Sequence, residues 1–225
     1  MGCFAQGCLT AVIVVVVLAV VGGGGAWWIY HTAINSFTSD QSANVAIDEP
    51  GAAEFQQAKM RLEHLRAAIR SKTETTIQFS AADLNALIAR EPGFTNLRGR
   101  LRVNLSGDDM ILDMSVPLDK INFPGLKGRW FNGRAEFGFN YNIGEFSFAA
   151  HAIEANGHRM ENTGKPGFNS SFLQNFSTSY SRKFNQGFRQ GQEKSPQGHE
   201  FWKQIKSMSV QDGQLVVVTQ AGEMQ

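Results

Sequence analysis

Cysteine is scarce in this 225-residue chain: Cys3 and Cys8 are the only two, and none follows them. No disulfide framework can therefore staple whatever folds downstream. Charge of one sign is also lacking, with 21 Lys and Arg against 20 Asp and Glu for a net +1 with neutral histidines. A dedicated nucleic-acid binder carries a clear basic excess, so nucleic acid is not expected as a partner. Catalytic motifs are missing as well: there is no G-x-S-x-G elbow, P-loop, G-x-G-x-x-G or H-E-x-x-H. None of His31, His64, His151, His158 and His199 pairs with a cysteine or second histidine at metal-ligand spacing. Asp108-Asp109 is not followed by acidic residues in a calcium-loop register and reads as a solvated turn. No catalytic residue, metal ligand or cofactor is assigned. What the chain does have is apolar mass, 42% hydrophobic residues and 17 Phe, too much for a disordered polyelectrolyte.

That mass is unevenly placed. Leu9 to Tyr30 is an uncharged stretch of 22 residues. About 20 helical residues cross a hydrocarbon core, so residues 9–30 are expected to span a bilayer. Trp27, Trp28 and Tyr30 fall where an interfacial belt would lie. A cleaved signal peptide is the rival, with Gly24 and Ala26 as small residues at cleavage spacing. Against it, no Lys or Arg occurs in the first 58 residues, so the basic leader of a signal peptide is missing. The same lack leaves the loop-charge rule without input. The expected orientation is that of a short uncharged leader, residues 1–8 inside and the C-terminal domain outside the cytoplasm. Gly2 with Gln6 fails the myristoylation pattern. Residues 31–51, rich in Ser, Thr, Asn and Ala, read as a polar tether, and residues 52–220 as one domain.

Within that domain, a helix is expected to start around Asp48-Glu49-Pro50. Phe55, Ala58, Leu62, Leu65 and Ile69 recur at three- and four-residue steps along it. Thr75 to Phe79 reads as a strand, and Ser80-Ala81-Ala82-Asp83 as a capping box with Asp for the usual Glu. That box opens a short helix which Glu91-Pro92-Gly93 ends. Alternation from Leu97 to Leu105, then Ile111 to Leu118, Phe137 to Tyr141 and Phe146 to Ala155, predicts an antiparallel meander. His158 to Gly167 reads as a loop. Phe168, Phe172, Phe176, Tyr180, Phe184 and Phe188 step by four in a helix expected to end near Gly187 and Gly191. A last helix opens at Pro196. Ser209 to Thr219 reads as a strand with a turn or bulge at Asp212-Gly213. The fold class is α+β: an N-terminal transmembrane helix, then a β-meander packed with helices on one face.

Two features bear on function. Arg98, Arg100, Arg102, Arg129 and Arg134 form a basic group, with Asp113, Asp119 and Glu136 close enough in strand order to neutralise it. A mixed solvated face is favoured there over an anionic-lipid contact. The aromatic row is either core filling or one wall of an apolar cleft. The candidate ligand-binding residues are Phe137, Phe139, Phe146, Phe148, Phe172 and Phe176.

The run Phe79-Ser80-Ala81-Ala82-Asp83-Leu84-Asn85-Ala86-Leu87-Ile88 resembles the F-S-x-x-[DE]-L-N-A-L-I helix of uncharacterised bacterial single-span envelope proteins. The order of elements ending in Val210-Gln211-Asp212-Gly213-Gln214-Leu215-Val216-Val217 is distantly similar to curved-sheet lipid-binding domains. The resemblance implies a membrane-anchored module of the cell envelope, for an apolar ligand or for an envelope protein as an interaction subunit. An envelope hydrolase is the lesser alternative. The bilayer itself is the expected partner of residues 9–30. Carbonate extraction is expected to leave the full chain in the membrane pellet, whereas a soluble species beginning near Trp27 would show a cleaved signal.

Overall fold

The computed structural model describes residues 36–119, 126–194 and 196–222, with the backbone alone for 168, 172, 176, 179, 180, 183, 191–194 and 196–199. The expected span, 9–30, lies outside the described residues. No helix among the described residues is long and apolar enough to cross a membrane.

The first helix, α1 (Ala52–Ser71), starts at Gly51 rather than at the acidic pair expected to cap it, and Gly51 makes no side-chain cap bond. Its stripe faces its own domain: Ala58 and Leu62 are buried, and Phe55, Leu65 and Ile69 pack against the core. Strand β1 (Thr76–Ser80) leads directly into α2 (Ala81–Arg90). The capping box is present: the Ser80 hydroxyl accepts from the Asp83 N–H at 3.1 Å, and the Asp83 carboxylate accepts from the Ser80 N–H at 2.8 Å. Asp83 also pairs with Arg61 of α1, which fixes the two helices to each other.

Beyond a 3-10 turn (Pro92–Leu97) come five strands joined in sequence order. They are β2 (Leu101–Ser106), β3 (Asp109–Pro117), β4 (Trp130–Asn142), β5 (Glu145–Ala155) and β6 (His158–Glu161). The expected strand from Leu97 begins only at Leu101, because Pro92 sets a helical turn and Gly99 takes a φ of +69°. Arg98, freed from the strand, donates to the carbonyls of Ile88 and Glu91 at the end of α2. The segment expected as a loop contains β6, paired to β5 through an Asn156-Gly157 turn. Both turn residues have positive φ, 50° and 75°, as a type I′ hairpin demands.

Two helices follow, α3 (Phe168–Lys194) and α4 (Pro196–Lys203), and then β7 (Ile205–Gln211) and β8 (Gln214–Thr219). The helix runs past Gly187 and Gly191, which were expected to stop it. The expected single last strand is a hairpin, with Asp212 and Gly213 at φ 49° and 71°. The long strand β4 is the branch point. Its first residues pair with β3, and Asn140–Asn142 pair with β7, which carries β8 and β1. The two wings curl toward each other until the Gly213 N–H donates to the Gly107 carbonyl at 2.7 Å. The sheet is thus antiparallel and nearly a barrel.

Helices close two of its edges, those of β5 and β2. On β5, the Asn185 amide accepts from the Phe146 N–H and donates to the Phe146 carbonyl, both at 2.9 Å. Ser181 accepts from the Phe148 N–H at 3.1 Å, and Ser177 from the Ala150 N–H at 2.8 Å. Four helical residues rise about 6 Å and two strand residues about 6.7 Å, so an i, i+4 row on α3 keeps step with alternate residues of β5. On β2, Asn85 of α2 does the same for Val103, accepting at 2.9 Å and donating at 2.7 Å. Past a β-bulge opposite Glu136/Phe137, the edge of β5 passes from α3 to β6.

Residues 38–45, within the expected tether, run along the domain. Ser39 exchanges two backbone bonds with Trp130, and the Ala43 and Val45 N–H groups donate to Ser115 and Gly99. Arg129 holds Thr38 and Asp40.

Removing the Asn185 amide would strand a buried N–H and carbonyl. Asn185→Ala is expected to cost about 2–4 kcal/mol, and Ser181→Ala only about 1 kcal/mol. Urea denaturation checks this; equal losses would show that water replaces the amide.

Candidate functional site

The alternation of β4 and β5 puts Phe137, Phe139 and Tyr141 on the same face as Phe146, Phe148 and Ala150. Phe139 lies opposite Phe148, and Tyr141 opposite Phe146. The four candidate ligand residues described with side chains therefore meet, but they meet each other and the late helices. Ring centroids are 5.6 Å apart for Phe139–Phe148, 4.6 Å for Phe146–Phe184 and 4.9 Å for Phe146–Phe188. Trp202 closes the end, stacking at a tilt on Tyr141 at 5.0 Å while its carbonyl accepts from the Tyr141 hydroxyl. Exposures of 4%, 4%, 1% and 8% for Phe137, Phe139, Phe146 and Phe148 describe a packed aromatic core. Phe172 and Phe176 lie on α3, with side chains outside those described.

A cleft opens elsewhere, between α1 and α2 on one side and β1, β8 and β7 on the other. Leu62, Leu65 and Arg66 of α1, Leu84 and Leu87 of α2, and Leu215 and Val217 of β8 are among its walls. Its cavity volume is about 60 Å³, and its walls are hydrocarbon apart from Arg66. Sequence reading places Leu62, Leu65, Leu84 and Leu87 on the buried faces of their helices without separating them from the aromatic cluster, and it places Arg66 on the outward face of α1, whereas the structure has it lining the cleft.

The outer face of the sheet carries the arginines. Arg102, Asp113, Arg134, Glu154 and Arg159 are register partners across five successive strands, alternating in sign. Asp113 accepts from Arg102 at 2.7 Å and from Arg134 at 2.6 Å. Burial raises the Asp113 carboxyl, but hydrogen bonds from Arg134 and Arg102 and their charges outweigh it, and the net shift is downward. Hydrogen bonding to Asp113 raises Arg134 in turn. Arg159 grips Glu136 with two bonds of 3.1 Å, and that hydrogen bonding raises it. Arg100 lies over the Trp130 ring at 5.5 Å. Asp119 accepts from the Gly128 N–H instead of an arginine. Of the basic group, Arg102, Arg129 and Arg134 are thus paired with carboxylates, while Arg98 caps backbone carbonyls and Arg100 lies on an aromatic ring. At the bulge, His151 Nδ1 and Asp109 Oδ1 are 3.0 Å apart, both partly exposed. Among the described residues no three His, Cys, Asp or Glu side chains gather as a metal site would require.

No protein family, curated protein or solved structure matches the chain.

Phe146→Ala is expected to lose about 3–5 kcal/mol in chemical denaturation, because its neighbours fill every side of the ring. Asp113 has a folded pKa below its unfolded value, so its contribution is present above about pH 4 and is lost as pH falls through the folded value. The thermal midpoint of the natural protein should accordingly fall more steeply below about pH 4 than that of Asp113→Asn.

Proposed function

We propose that the chain is a membrane-anchored, extracytoplasmic binding module of a cell envelope, and that its ligand is apolar. The ligand inserts one end into the cleft between α1, α2 and the β1–β8–β7 wing. The observation that carries this reading is the cleft itself, open at its mouth and walled by hydrocarbon. Its enclosed volume of about 60 Å³ is well under the ~150 Å³ of a dry cavity that accepts benzene. A flexible alkyl end fits better than a ring, with the rest of the chain lying across the mouth. The uncharged run at 9–30 supports the anchor, and the docked segment at 38–45 would hold the domain close to it. The ligand position moves away from the phenylalanines, which are packed against one another.

A second reading, a subunit that binds another envelope protein, draws on that packed core and on Ile143. Ile143 is 71% exposed at the β4–β5 hairpin tip, with a φ of +37° that a β-branched residue adopts only under strain.

Native mass spectrometry of the purified full chain, followed by extraction, separates the two. An alkyl-bearing adduct is expected on the natural protein and should vanish in Leu65→Phe, which fills the cleft. The added volume should cost at most about 1–3 kcal/mol, and urea denaturation should still show a cooperative transition. Repeated absence of any adduct would remove the ligand reading and leave the partner reading.

A further inference from the structure

We infer that the ligand of this cleft carries an uncharged head, because Glu63 and Glu91 already occupy the one cation that an anionic head would use. The inference rests on the cleft reading above. Arg66 is the single charged side chain in the cleft wall. One of its guanidinium nitrogens, Nη1, holds Glu63 Oε1, and the other, Nη2, lies 3.5 Å from Glu91 Oε1. Glu63 reaches it from one turn earlier on α1, and Glu91 from the end of α2. Arg66 and Glu91 are only 23% and 12% exposed, so water screens their attraction weakly.

On the polar side of the cleft the two carboxylates hold Arg66 between them, and Arg98 is engaged by the Glu91 and Ile88 carbonyls. A carboxylate or phosphate head would have to displace Glu91 from a poorly hydrated site and would still face Glu63. A cationic head would meet first the guanidinium, which is the charged group lining the cleft. A hydroxyl pays neither cost, and it can donate to the carboxylates. The acidic pair is therefore a specificity element: it turns an arginine-bearing apolar cleft from one that selects fatty acids into one that rejects them.

Photolabelling of the full chain in phosphatidylcholine vesicles tests this. Three alkyl diazirine probes of equal length would be used, ending in hydroxyl, carboxylate or trimethylammonium. Labelling of peptides spanning 59–66, 81–90 and 204–217 is compared with labelling elsewhere in the same chain. The hydroxyl probe should exceed the carboxylate probe at the cleft by about threefold, the ratio expected of a partly exposed charge interaction. Glu63→Gln with Glu91→Gln should raise the carboxylate probe to or above the hydroxyl probe, and adding Arg66→Gln should cancel that gain. The Glu63 side chain is about half exposed, so Glu63→Gln alone keeps the fold and should show part of the gain. Carboxylate or ammonium labelling equal to hydroxyl labelling in the natural protein would overturn the head assignment and leave the cleft reading intact. No probe favouring the cleft would overturn both.

Discussion

The side-chain amide of Asn185 takes the place of a missing strand. An antiparallel strand offers its neighbour an acceptor and a donor at each paired residue, and a carboxamide carries the same two groups on one short stem. Asn185 presents them to Phe146, and Asn85 presents them to Val103 on the far wing. Without such partners the edges of β5 and β2 would leave backbone groups buried and unpaired or exposed to another chain. Much else follows from this arrangement. Because Asn185, Ser181 and Ser177 keep step with β5, α3 lies in one register along the strand, and Phe184 and Phe188 are carried onto Phe146 and Phe148. The bulge marks where that helix yields the edge to β6.

The same logic explains the motif around α2. Ser80 and Asp83 cap the helix, Asp83 binds Arg61, and Asn85 closes β2. Leu84, Ala86, Leu87 and Ile88 are buried at 4% exposure or less. Nearly every residue of the motif is thus spent on architecture. Leu84 and Leu87 also wall the cleft, which ties that architecture to the proposed ligand.

The two apolar regions differ because their helices bring different side chains. α3 lays rings onto a sheet face already lined with rings, and aromatic edges and faces interlock without leaving a void. α1 and α2 bring mostly aliphatic side chains, with Phe79, Phe94 and Phe201 completing the cleft walls, and ion pairs of Arg61 with Asp83 and of Arg66 with Glu91 hold the two helices to each other. Across the sheet's outer face the charges cancel in rows, so that surface does not compete as a polyanion site.

Much of the local structure was legible in the residues. The stripe of α1, the Ser80–Asp83 box, the alternation of β4 and β5 and the four-step row of α3 are short-range patterns, set by helix and strand periods. The misreadings were also local in origin. Asn156-Gly157 carries the signature of a tight hairpin and opens β6 inside a segment whose polar composition reads as loop. Gly187 and Gly191 are helix stops by propensity, yet α3 runs through both to Lys194. The polar row at 177, 181 and 185 lies one position after Phe176, Tyr180 and Phe184, but its partners lie 27 to 39 residues away. Which segments coil or extend, and which of their faces are apolar, is written in the residues, because those choices depend on neighbours within a turn or two. Which edges the asparagines close, which arginines meet carboxylates and where a cleft is left follow from the assembled fold, because volume and long-range pairing exist only once distant segments meet.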